Sequence, residues 1–211
     1  LLKRIAAAQG IDTKAGSDTG LKKHAIVILA QFADVKFTYT KEHFVNMLTK
    51  KGYSVNGATG CAKDYFDTQL EGLFDFSFEV SDIVTLPQDR AFYGGNDDSG
   101  NDKNPAHMIG DACRLADAGI DFTLYDDDND NEVDNVFVFF AGGDEAEGEG
   151  DDCIWSHAWY VYSGGGLELT LDGKRIDRYA CTAELTRKYI SKVKYIHRLA
   201  GIGTFCHEYF H

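Results

Sequence analysis

His24-Ala25-Ile26-Val27-Ile28-Leu29-Ala30-Gln31-Phe32 is a short, almost unbroken apolar run rich in β-branched residues. A strand wet on one face alternates polar and apolar residues; this one does not, so it is expected in the middle of a sheet covered on both faces. Asn135 to Ala141 reads the same way. Downstream of the first run, Thr40 has the chemistry of a helix N-cap, Phe44, Val45 and Leu48 follow at helical spacing, and Gly52 stands where a C-terminal glycine belongs. A second helix is expected from about Cys61 to Glu71, presenting Tyr65, Phe66 and Leu70. Phe74, Phe76, Phe78 and Val80 then alternate with Asp75, Ser77 and Glu79, the pattern of a half-buried strand.

Asn96 to Asn104 is rich in Asn, Asp and Gly and reads as a mobile loop. Pro105 fits the first position of a helix capped by Asn104, with Met108, Ile109, Ala112, Cys113 and Ala116 as its apolar stripe and Gly119 at its end. Cys153 to Tyr162 is expected as an aromatic-rich strand, its Trp155-Ser156-His157-Ala158-Trp159 packing a core. Leu167 to Leu171, the turn Asp172-Gly173, and Lys174 to Cys181 predict a β-hairpin. Gly201-Ile202-Gly203-Thr204 leads into a last helix. Strands and helices alternate without a regular βαβ repeat, so the fold class is mixed α/β or α+β. Residues 1–22 read as a leader or linker and 23–211 as the domain.

The 211 residues leave ample material for a core, and 44% hydrophobic residues with only two prolines exclude a disordered or collagen-like chain. The net charge of −13 argues against a nucleic-acid or anionic-membrane binder. It is unevenly placed: Asp126 to Asp152 holds 12 acidic residues and no Lys or Arg. Five scattered cysteines, none in a CxxC pair, exclude a zinc ribbon and leave at least one thiol unpaired. No apolar run spans a bilayer, and Leu1 to Gly20 lacks a signal-peptide core. The chain starts without Met and stops at His211, which suggests a piece of a longer protein.

His207-Glu208-Tyr209-Phe210-His211 fits H-E-x-x-H. On a helix both histidines project from one face and reach a single tetrahedral Zn²⁺, while Glu208 is placed to take a proton from the metal's water as general base. A third protein ligand is expected beyond His211, since His24, His43, His107, His157 and His197 are poor substitutes. In the acidic block, Asp126, Asp128, Asp130 and Asp134 follow D-x-D-x-D-x-x-x-D, the start of a calcium loop. Asn131 stands where Gly usually makes the turn, a mild departure because Asn tolerates left-handed backbone. Phe137 replaces the usual closing Glu, so Asp134 becomes the closing ligand and the loop runs into a strand. Asp126, Asp128, Asp130 and Asp134 are thus calcium ligands through side chains and Glu132 through its carbonyl. Asp144 to Asp152 reads as a solvated loop, with a second, weaker cation site as the other reading.

Four ordered segments now carry a resemblance: Cys61-Ala-Lys-Asp-Tyr-Phe-Asp-Thr-Gln-Leu-Glu-Gly, Tyr125-Asp-Asp-Asp-Asn-Asp-Asn-Glu-Val-Asp-Asn-Val-Phe-Val-Phe-Phe-Ala-Gly, Ile154-Trp-Ser-His-Ala-Trp, and Gly201-Ile-Gly-Thr-Phe-Cys-His-Glu-Tyr-Phe-His. From about Lys23 to His211 the chain resembles the immune inhibitor A family of secreted zinc metallopeptidases. The resemblance implies a zincin-like metalloprotease catalytic domain: a twisted mixed sheet with packing helices and an active-site helix at the C-terminal end. It implies a secreted or extracellular endopeptidase, a bacterial cell surface included, with zinc and calcium as cofactors and a protein or peptide as substrate. By motif position His207 and His211 would hold zinc and Glu208 would be the base. In the family the motif continues into a Gly-containing stretch and an acidic residue, so 23–211 would be the upper part of the domain, cut at the second zinc histidine. The expected reaction is peptide-bond hydrolysis, with Lys174 to Thr182 as the edge strand that aligns the substrate. Two other readings stand beside it: a calcium-stabilised binding or adhesion module with an incomplete zinc site, and a thiol enzyme using Cys206.

Overall fold

The computed structural model describes residues 21–210. In chain order these form β1 (Leu21–Gln31), α1 (Lys41–Thr49), α2 (Ala62–Gln69), β2 (Phe74–Thr85), α3 (Arg90–Gly94), α4 (Pro105–Ala116), β3 (Val136–Gly143), β4 (His157–Tyr160), α5 (Val161–Gly165), β5 (Thr170–Leu171), β6 (Lys174–Arg175), β7 (Arg178–Ser191), β8 (Lys194–Leu199) and α6 (Ile202–Tyr209). The main sheet runs β2-β1-β3-β7-β4, with β8 on the second half of β7. The first four strands are parallel; β4 is antiparallel and lies at the edge.

The two apolar runs occupy the centre, as their lack of alternation requires. Residues 25–30 are fully buried, and their side chains divide between two cores. Ile26 and Ile28 face Met108, Ile109 and Ala112 of α4, while Val27 and Leu29 face Phe44 of α1, Phe66 of α2 and Phe205 of α6. Each such side chain contributes about 1.5–3 kcal/mol by leaving water, so the sandwich of sheet between helix layers dominates stability. The result is a mixed α/β fold whose antiparallel edge and helix layers suit a metalloprotease catalytic domain.

Local chemistry sets the helix ends. Thr40 and His43 form a capping box at α1, Cys61 caps α2 by accepting from the Asp64 amide, and Pro105 occupies the first turn of α4. Asp172 and Gly173, with φ of 50° and 78°, make the tight turn between β5 and β6.

Several expectations need correction. Of the leader, residues 1–20 lie outside the described residues, whereas Leu21 and Lys22 already belong to β1. Tyr65 is exposed while Phe66 and Leu70 are buried. Asn96 to Asn104 is tied down by an Asn96–Asp102 bridge and by the Asp97 carboxylate, which accepts from the Ser99 and Asn101 amides. The strand expected over Cys153–Tyr162 is only His157–Tyr160. The hairpin closes after two residues on each arm, and Arg178 onward enters the main sheet instead, because Tyr179, Cys181 and Ala183 supply one core while Ala180 supplies the other. Glu184, fully buried in β7, accepts from the amides of Thr38, Tyr39 and Gly142 at 2.6, 2.7 and 3.2 Å. It thereby ties the loop after β1 to the end of β3.

Candidate active site

Helix α6 is eight residues long and capped only by Gly201, so its position depends on packing rather than on intrinsic helicity. Phe205 supplies that packing. Its ring centroid lies 4.4 Å from Phe137, 5.6 Å from Phe78 and 5.8 Å from Phe139, the last nearly parallel. Tyr209 packs beside it against Phe66, Phe76 and Phe78. With that face inward, Glu208 is 9% exposed and His207 faces outward. His211 lies outside the described residues.

Glu208 helps line a 450 Å³ groove whose other walls are Trp155 to Tyr160, Arg178 and Tyr179. Half of that wall is β4, which among the described residues pairs with β7 on one side only, so its outer edge offers backbone groups to a further strand. The substrate-aligning edge was expected at Lys174 to Thr182, and the structure overturns this: Arg178–Cys181 pairs with β3 on one side and β4 on the other. Trp155 and Trp159, expected in a core, are 53% and 54% exposed beside the groove. Four residues are too few for strand periodicity to reveal an edge, which is why β4 was hidden.

The acidic loop leads directly into β3. Carboxylate oxygens of Asp126, Asp128 and Asp130 lie within 4.8 Å of one another. Asn129 and Asn131 take φ of 60° and 71°, the left-handed backbone this turn needs. Asp126 accepts from the Asp130 and Asn131 amides, and the Lys174 ammonium, 2.6 Å away, holds its carboxyl below the usual range. Asp134 does not join the three: it accepts from the Asp127 amide at 3.0 Å and pairs with Lys23 at 3.3 Å, and burial raises its carboxyl. Glu132 donates its amide to Asp130 and pairs its carboxylate with Arg175.

Comparison with known proteins now bears on this arrangement. The family described as immune inhibitor A peptidase M6, catalytic domain, matches residues 18–211. The chain belongs to the M6 peptidase family. A curated relative, Immune inhibitor A of Bacillus thuringiensis subsp. alesti, is 29% identical over 177 residues, covering 66% of this chain and 26% of that protein. The chain thus spans about a quarter of the relative's length. Family membership marks it as a metallopeptidase domain and favours the peptidase reading over the binding module.

Elsewhere in this M6 domain four of the remaining histidines have other partners, whereas His107 Nδ1 is buried without a hydrogen-bond partner. His24 meets Asp127 at 2.5 Å, His43 caps α1 and His197 meets Glu149 at 2.8 Å. His157 meets the Trp155 carbonyl through Nδ1 and the Tyr179 hydroxyl through Nε2. Asp126, Asp128 and Asp130 are the one grouping of at least three such side chains with metal-ligand spacing among the described residues. Asp144 to Asp152 is the exposed loop expected, but three of its acids are tied down. Asp144 is buried against Ser156, Glu149 pairs with Arg187 and Asp152 with Arg90. Cys206 is buried, which pushes its thiol up to about 12, so the M6 domain holds no thiolate there near neutral pH. All five cysteines are buried and none is in a disulfide. No helix among the described residues is long and apolar enough to cross a membrane.

Proposed function

We propose that this chain is the catalytic domain of a secreted, zinc-dependent endopeptidase. His207 and His211 hold the metal and Glu208 is the general base. The observation that carries the reading is the docking of α6: its aromatic face fixes His207 to Tyr209 so that Glu208 lines a groove beside the outer edge of β4. The donors suit zinc, since two imidazoles at i and i+4 with a carboxylate after the first are a borderline-soft site with a base beside it. Bound there, zinc supplies polarisation of a carbonyl and a water acid enough to react near neutral pH.

The chain's own residues do the rest. The outer edge of β4 takes up an extended peptide as an added strand, and main-chain hydrogen bonds fix its register. Glu208 takes a proton from water and passes it to the departing amine. The third protein ligand comes from residues that follow His211, and further domains follow in the intact protein. Asp126, Asp128 and Asp130, with the Glu132 carbonyl, hold calcium at the entry to β3, while Asp134 completes that site only by leaving Lys23. Secretion agrees with the family and with the calcium loop, because extracellular calcium is abundant enough for weak sites. The test is cleavage of an unfolded protein by the chain extended past His211. Activity removed by a chelator, restored by zinc and absent from His207→Ala supports the reading; chelator-resistant cleavage, or full activity in His207→Ala, defeats it.

A further inference from the structure

A second cavity, of 390 Å³, lies across β4 from Glu208. Alternation along the strand puts His157 and Trp159 on the α4 side, opposite Cys181 and Tyr179 of β7, and turns Ala158 toward the α6 side. This cavity shares Trp155, His157, Trp159 and Tyr179 with the groove that holds Glu208. Two carboxylates enter it, Asp102 and Glu145, and no Lys or Arg lines it. Asp102 Oδ2 accepts from the Trp155 amide at 3.1 Å, but Oδ1 is buried without a hydrogen-bond partner. A buried acceptor left unmade costs free energy, which a ligand's N–H would recover once the Asp102 carboxyl turns Oδ1 toward the cavity. Burial lowers the pKa of His157, which disfavours a positive charge there, and its two ring nitrogens already meet Trp155 and Tyr179.

We propose that this cavity receives a basic side chain, arginine above all, from the peptide lying along β4. The planar guanidinium would bond Asp102 and Glu145 and lie against the indole faces of Trp155 and Trp159. An extended peptide alternates its side chains across the strand, so one residue in two faces this side, and the pocket selects a basic one there. That this peptide is a substrate rests on the endopeptidase reading; the pocket's affinity for a cation does not.

Both tryptophans of the chain line the cavity, so intrinsic fluorescence reports on it without any catalysis. Titration with arginine amide at pH 8, where Asp102 is ionised, should give a saturable change, at least tenfold weaker for the neutral norleucine amide and for Asp102→Asn. Glu145→Gln is the second variant, and far-ultraviolet circular dichroism checks folding of both. A flat titration, or equal binding of both amides by wild type, overturns the proposal. Paired peptides bearing arginine or norleucine at one position then separate the two claims. Discriminating binding without cleavage removes the endopeptidase reading and leaves the pocket; cleavage of both peptides at equal rates, with flat fluorescence, removes the pocket alone.

Discussion

Phe205→Ala tests whether packing, rather than helix propensity, positions the H-E-x-x-H segment. Phe205 is fully buried and has ring neighbours at 4.4 to 6.4 Å on α2, β2, β3 and within α6 itself. Truncating a buried Phe costs about 3–5 kcal/mol. The upper half of that range applies, because neighbours held by three separate elements cannot all collapse into the void. In a domain of this size each kcal/mol moves the midpoint by about 2–4 °C, so a drop on the order of 8–20 °C is expected. The loss should fall first on α6, which is too short to stand alone, and zinc affinity should fall with stability. Urea unfolding followed by circular dichroism, with zinc titrations beside it, reads both. Phe205→Leu, which keeps most of the volume, should cost about 1–1.5 kcal/mol. A loss below about 1 kcal/mol for Phe205→Ala, with zinc binding intact, would refute the claim that this ring anchors the helix.

Three further outcomes follow. Burial first, then Glu145 and Asp144, raise the Asp102 carboxyl to about 7, with Tyr179, Cys181 and His157 as its other neighbours. The folded state therefore holds a proton that the unfolded chain loses near pH 4, and stability falls as pH rises from there to about 7 and stays low above. Asp102→Asn should match wild type to within a few tenths of a kcal/mol near pH 3, below the unfolded carboxyl's pKa, and exceed it at pH 8 by about 1–2 kcal/mol, allowing for partial exposure; equal unfolding curves at pH 8 count against this. At fixed zinc, calcium at a hundredfold excess over its dissociation constant should stabilise the chain by about 2.7 kcal/mol, an effect lost in Asp128→Asn; identical melting with calcium and with a calcium chelator would remove the loop from the metal sites. Burial pushes Cys113 and Cys206 up to about 12 and Cys153 to about 11, so a thiol reagent at pH 7.5 should modify none of the five without denaturant, and fast native labelling would contradict the packing.

The core was legible because two continuous apolar runs admit few placements: β1 and β3 had to be central, and they are. The helix of Pro105–Ala116 was equally plain from its cap and stripe. What stayed hidden was decided by tertiary partners. Arg178–Cys181 looks like one arm of a hairpin, and only its neighbours β3 and β4 make it interior. Trp155 and Trp159 carry the largest apolar side chains in their segment, so composition places them in a core, whereas the edge position of β4 leaves them beside a groove. Glu184 and Asp102 gave no signal at all, since a buried carboxylate in a strand or an Asn-rich loop is recognisable only once its amide donors or its empty acceptor are in view. The metal motifs were readable as spacing. Spacing alone could not tell that Asp134 turns toward Lys23.

The most direct test of the catalytic assignment compares Glu208→Gln with wild type, in the chain extended past His211, at matched zinc content. The assignment predicts zinc binding within about threefold of wild type and a fall in kcat of about 10²–10⁴, the usual worth of a general base. A Glu208→Gln enzyme that cleaves peptide bonds at close to the wild-type rate would contradict it.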